Sequence, residues 1–391
     1  MLTKKINFKN FKIKSKKNNI KKIFQDLKKN YLKGQVKVLK SLSRNYQYSF
    51  NYKLINKYKK FKNFRVIGMG GSILGSEAIY HFLNHKIKKN FSFINNLQNK
   101  LEFKGNKKDI VNIIISKSGN TLETISNSNI LIKNNKKNIF VVENNENYLN
   151  NLASQIKADV IEHKNYLGGR YSVLSEVGML PAELMGLKEK KFKRLNYLIQ
   201  RKSFINQLTL NVEKTLSLIK KGKYISVILN YDHKSENLLK WYQQLIAESL
   251  GKKSKGILPM ISTMPKDNHS LMQFYLDGPK KNFYTFFNVL EKNANQINKK
   301  ILLKSHFYLK NKNLQDIRHS QMLATQNVFK SKKIPFRSFE ILQRSEQTIG
   351  EVFCFFILET ILLGRALRVN PFDQPSVELI KKETKKILLR N

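Results

Sequence analysis

A chain of 391 residues is too long for one ordinary compact domain and suits two, and its 41% apolar and 11% aromatic content excludes wholesale disorder. Lys and Arg number 73 against 27 Asp and Glu, but the lysines run the whole length of the chain beside Asn and Ile, with no helix-turn-helix, zinc-knuckle or aromatic RNA-binding signature, so no specific nucleic-acid partner is expected. The apolar runs are too short for a spanning helix and the Lys-rich start carries no apolar signal core, so no membrane partner is expected and the expected compartment is the cytoplasm.

Residues 1–62 read as a basic helical leader packed on the first domain, with Ile20, Ile23, Phe24 and Leu27 at helical spacing. Apolar strands are expected over 64–69, 109–116 and 138–143, with helices over 76–85, 122–133 and 147–156. That alternation predicts a mostly parallel sheet, with ligands at the carboxyl ends of its strands. A polar helical stretch over 188–221 leads to a second alternation, with strands at 224–230, 256–261, 282–289 and 336–342 and helices at 237–250 and 314–329. An apolar helix over 348–365 comes next, expected to tie the domains together, then a Pro-rich turn at 370–375 and a basic closing helix from Val377. Cys354, the only cysteine, falls inside the apolar helix and is expected to pack as a small hydrophobe. The fold class is therefore α/β, two doubly wound domains at 63–190 and 191–345, with the leader at 1–62 and C-terminal helices at 346–391.

Two segments carry anion chemistry. Residues 66–75, V-I-G-M-G-G-S-I-L-G, run from a buried strand through a glycine turn into a helix, where backbone amides approach an anion closely. The dinucleotide fingerprint is broken by Ile73, and no acidic residue ends the next strand to take a ribose. Residues 113–124, I-I-I-S-K-S-G-N-T-L-E-T, deliver Ser116, Ser118, Thr121 and Thr124 around a helix start, with Lys117 adding charge. Short hydroxyls, fixed amides and a favourable dipole suit a phosphate monoester, and the spacing is not that of a nucleotide-binding P-loop.

Three further segments complete an ordered set: G-G-R-Y-S-V-L-S-E-V-G-M-L-P at 168–181, Q-Q-L-I-A-E-S-L-G-K at 243–252 and N-P-F-D-Q-P-S-V-E-L-I-K at 370–381. Together the five segments resemble the glucose-6-phosphate isomerase family, built from two sugar isomerase (SIS) domains. The resemblance implies a homodimer with a shared active site that interconverts glucose 6-phosphate and fructose 6-phosphate without metal or organic cofactor. It places the base at Glu248, the arginine at Arg170, the ring-opening histidine at His269, given across the dimer interface, and the closing-helix lysine at Lys381. Ser116, Ser118, Thr121 and Thr124, with Lys117, would hold phosphate, and Gly71 and Ser72 would face the sugar.

These residue types fit the chemistry. Moving a proton between C1 and C2 through a cis-enediolate needs one carboxylate and a cation near the developing oxyanion, and ring opening needs a second acid and base, for which imidazole is suited. Leu250 stands where the family has Asn, expected to remove an amide near the base; Asn268 replaces Gln before His269, and Ser376 replaces Gly. The alternatives are a sugar-phosphate-binding SIS protein, regulatory or weakly active, and a dual phosphoglucose and phosphomannose isomerase.

Overall fold

The computed structural model describes residues 1–14, 19–100, 109–132, 137–291 and 293–390; the last residue of the helix expected over 122–133 lies outside them. The leader is not wholly helical. Its β1 (Ile6–Lys9) alternates buried Ile6 and Phe8 with Asn7 and Lys9, a period-two pattern hidden among lysines. It pairs antiparallel with a strand of the second sheet, Ile6 opposite Ile341, so the leader is woven into the second domain rather than laid on the first alone.

In the first sheet β2 (Asn63–Gly68), β3 (Asn90–Ile94), β4 (Ile110–Ile115), β5 (Asn138–Val142) and β6 (Asp159–Glu162) are all parallel, in the order β3-β2-β4-β5-β6. The central β4, I-V-N-I-I-I, is buried along its whole length, as a strand covered by helices on both faces must be. The second sheet contains β7 (Ile225–Asn230), β8 (Leu258–Thr263), β9 (Asn282–Val289) and β10 (Phe336–Ile341) in the order β1-β10-β9-β7-β8, parallel except for β1. The parallel strands of the two sheets thus share one winding, which reverses between β2 and β4 in the first and between β7 and β9 in the second. Ligands of doubly wound sheets gather at such reversals, outside the carboxyl ends of the strands.

The helix Glu346–Leu367 is buried along nearly its full length, and Ser345 caps it through the Thr348 amide at 3.2 Å. It ties the molecule together: Glu346 meets Lys86 beside the first sheet, and Glu359 meets Arg337 of β10, Asn211 and Tyr242. Arg337 also donates to Thr285 at 3.0 Å, to Asn211 at 2.9 Å and to Tyr242 at 3.0 Å, so this buried charge pair is embedded in further hydrogen bonds. Cys354 is free and buried on the same helix, and burial pushes its thiol up to about 12. Among the described residues, no helix is long and apolar enough to cross a membrane.

Candidate active site

The first sheet's reversal is lined by glycines and hydroxyls. The glycine turn, Gly70–Ser72, follows β2, and Ser116 to Thr121 follow β4, so the two motifs lie side by side at the reversal. Thr121 is the N-cap of the helix Leu122–Leu131, yet its hydroxyl makes no capping bond and lies 3.0 Å from that of Ser116. The helix's first amides are thereby left without a side-chain cap. Ser118 is exposed and accepts from the Asn120 amide at 3.3 Å. Thr124 is buried, and among the described residues its hydroxyl has no hydrogen-bond partner. Lys117 reaches sideways, donating to the Asn165 carbonyl at 2.8 Å with Glu143 at 3.6 Å.

The matching crevice of the second sheet is closed by the protein itself. Asp232 after β7 and Glu291 after β9 hold the Arg344 guanidinium at 2.5 and 2.8 Å. An arginine and two carboxylates occupy the place that glycines and hydroxyls line in the first sheet.

Gly71 brings the glycine turn to its partner. A Cβ at this position would lie 2.1 Å from the Gly169 carbonyl carbon and 2.4 Å from the Arg170 nitrogen, so only glycine lets the two backbones touch. Ser72 is also buried there. Arg170 is fully buried, and its five N–H groups meet five acceptors. Nε donates to Ser249 Oγ at 2.8 Å, Nη1 to Glu248 Oε2 at 3.0 Å and Gln374 Oε1 at 2.7 Å, and Nη2 to the carbonyls of Pro371 at 2.8 Å and Asp373 at 3.0 Å. Glu248, near the end of the helix Glu236–Leu250, receives a second bond from Gln244 Nε2 at 2.8 Å, one turn earlier. Its side chain remains 32% exposed, so a carboxylate gripped from two sides still faces solvent beside the glycine turn.

Arg170, Glu248, Gly71 and Ser72 therefore converge next to the Ser116–Thr121 loop, while His269 and Lys381 do not join them. Glu248 lies where its helix ends before β8, and His269 lies beyond the far end of β8, a separation of roughly 20 Å along a six-residue strand. The His269 ring is exposed, on a loop fixed by Asp267, whose carboxylate accepts from Ser262 and Thr263, each at 2.8 Å. Lys381 is exposed on the helix Val377–Leu388, which buries no residue, and pairs with Glu378 at 2.7 Å.

Four polar residues of the cluster escape sequence reasoning: Gln244, Gln374, Ser249 and Tyr171. Each neighbours a recognised residue, Gln244 one helical turn before Glu248, Ser249 directly after it, Tyr171 after Arg170 and Gln374 in the D-Q-P run. Tyr171 donates to the Pro371 carbonyl at 3.0 Å, and burial pushes its hydroxyl up to about 12, so it stays a donor. Leu250 corrects an expectation. Its side chain is fully buried in the core, and the amides beside the base come from Gln244 and Gln374 instead.

Two doubly wound units, each with one reversal in a mainly parallel sheet, define the chain as an α/β protein of two similarly wound sheets. The phosphoglucose isomerase family profile matches residues 37–390, and the chain belongs to that family. It is 32% identical to a probable glucose-6-phosphate isomerase of Methanococcus maripaludis, over 95% of this chain and 89% of that one. It is likewise 32% identical to a glucose-6-phosphate isomerase of Methanocaldococcus jannaschii, over 84% and 85%. Among solved structures, a hypothetical protein of Thermus thermophilus superposes with a TM-score of 0.81 at 21% identity, covering 95% of this chain and 94% of that one. A glucose-6-phosphate isomerase of Chlamydia trachomatis gives 0.70 at 17% identity, covering 86% and 71%.

Proposed function

We propose that this chain interconverts glucose 6-phosphate and fructose 6-phosphate through a cis-enediolate, as a cytoplasmic homodimer whose active sites are shared. The observation that carries the reading is the Glu248 carboxylate, held by Arg170 and Gln244 yet open to solvent beside the glycine turn and the hydroxyl loop. Ser116, Ser118, Thr121 and Thr124, with the uncapped helix amides and Lys117, take the phosphate. Gly71 and Ser72 line the sugar. Glu248 takes the proton from one of the two reacting carbons and returns it to the other, while the charge of Arg170 lies next to the developing oxyanion. Because the five donors of Arg170 are already committed, its part is charge and alignment of the base, not a spare N–H for the sugar.

Ring opening falls to the partner subunit's His269, with Lys381 carried by the closing helix. The distance between Glu248 and His269 within one chain supports that division. So does the bare helix Val377–Leu388, which leaves Leu379, Ile380, Ile387 and Leu388 exposed. The test is complementation: Glu248→Gln and His269→Ala proteins, each inactive, are mixed under conditions that exchange subunits. Recovery of turnover is expected because the mixed dimer has one intact site; no recovery counts against sharing.

The reading as a whole is tested by a coupled assay of the purified protein with fructose 6-phosphate, with and without EDTA. Turnover insensitive to the chelator is expected, and absence of turnover overturns the proposal. In the same assay Thr121→Ala should raise KM about tenfold with kcat nearly unchanged, the signature of lost uniform binding, and an unaltered KM would remove the loop as the phosphate site.

A further inference from the structure

The bonds around Arg170 do more than hold the base. Of its five, three go to residues 371–374, the strap between the long buried helix and the closing helix. The strap is seated at several other points. Pro371 lies against Gly364 so closely that a Cβ there would come within 2.9 Å of its Cβ. The Phe372 ring packs 5.6 Å from that of Tyr171. Asn370 ties the turn, accepting from the Phe372 amide at 3.1 Å and donating to Asp373 at 2.9 Å.

The remaining anchor is Lys252, two residues past the helix that carries Glu248. Its ammonium donates to the Asn370 carbonyl and to Asp373 Oδ1, the latter at 2.7 Å. Three strap carbonyls, of Asn370, Pro371 and Asp373, thus face cations: Lys252 from one side and Arg170 from the other. The Lys252 side chain is only 12% exposed, whereas that of Asp373 is 52% exposed, so the lysine is the enclosed member of the pair. Beyond Gln374 no described residue is buried, and the helix bearing Lys381 starts three residues later.

We infer that Lys252 and Asp373 are positioning residues: their pair latches the strap onto the end of the base-bearing helix, which fixes Gln374 against Arg170 and sets where the closing helix with Lys381 begins. The latch rests on the isomerase reading for its consequence but not for its existence. Its effect falls on kcat, because it orders groups that act in the reaction and touches no part of the phosphate loop. A misplacement of the base by about 1 Å can cost on the order of a hundredfold in rate, and a loosened strap still seated on Arg170 should cost part of that.

The test uses the full-length protein with Lys252→Met, Asp373→Asn, the double variant and Lys252→Arg, assayed for kcat and KM with fructose 6-phosphate. Each single loss should lower kcat about tenfold with KM within about twofold, the double should be no worse than either single, and Lys252→Arg should restore most of the rate. Amide hydrogen exchange over residues 370–376 should quicken in the Met and Asn variants alone. The inference is overturned by kcat within about twofold of the parent, by effects that multiply in the double, or by unchanged exchange. Failure of the half-exposed Asp373→Asn to fold also overturns it, since the pair would then be a structural support. If the parent protein lacks turnover, the isomerase reading fails, and hydrogen exchange still decides the latch.

Discussion

Glu248→Gln is expected to reduce kcat by roughly a thousandfold or more, within the range that a positioned general base contributes, while fructose 6-phosphate binds with a Kd within about threefold of the parent's. The substitution keeps the volume and an acceptor oxygen for Arg170 Nη1, so the strap and the glycine turn should stay in place. It removes the one group that can carry the proton between the two carbons. The ligand is held mainly through its phosphate, among hydroxyls and amides the substitution does not touch, so calorimetric titration should separate binding from turnover. Retention of more than about a tenth of the parent kcat removes Glu248 as the base, and loss of binding together with turnover makes it a structural residue.

What made Glu248 legible was the order of the motifs around it rather than its own surroundings, because one glutamate on a helix usually belongs to solvent. The parallel sheets were legible for a simpler reason: β4 and β9 are mainly apolar segments of strand length, buried throughout, with helical periodicity between them. Two strands escaped. β1 is four residues long amid lysines, and β6, D-V-I-E, lies at a sheet edge where half its side chains face out. The position of the hydroxyl loop and the glycine turn at the mouth of β2 and β4 followed from strand-to-helix punctuation, which is local. The rest of the cluster is not local. Gln374 lies 204 positions from the arginine it bonds, and no pattern marks a neutral amide in advance. Nor could sequence show that Asp232, Glu291 and Arg344 meet to close the second crevice, since three separated elements must fold first. The side chain of Leu250 was misjudged because nearness to the base along the chain was read as nearness in space, whereas residues two apart on a helix point about 200° apart.

Arg170→Lys should damage both stability and rate. The charge survives, but a three-donor ammonium replaces a five-donor fork whose geometry matches Glu248, Gln374, Ser249 and two carbonyls at once. At least two buried acceptors lose their donor, and an orphaned buried acceptor costs about 1–3 kcal/mol. Tyr171 still donates to the Pro371 carbonyl and lies 2.9 Å from Ser249 Oγ, which offsets part of the loss, so about 2–3 kcal/mol is expected as a lower urea midpoint at unchanged slope. The rate should fall about a hundredfold, since Glu248 loses its strongest tether and the strap loses both Nη2 bonds. KM should move much less, because Arg170 is fully buried and touches no hydroxyl of the phosphate loop. The split between the two readouts carries the argument. A lowered midpoint with normal kcat would make the arginine a fold support only, and a normal midpoint with lost kcat would mean that its donors serve the sugar directly after rearranging.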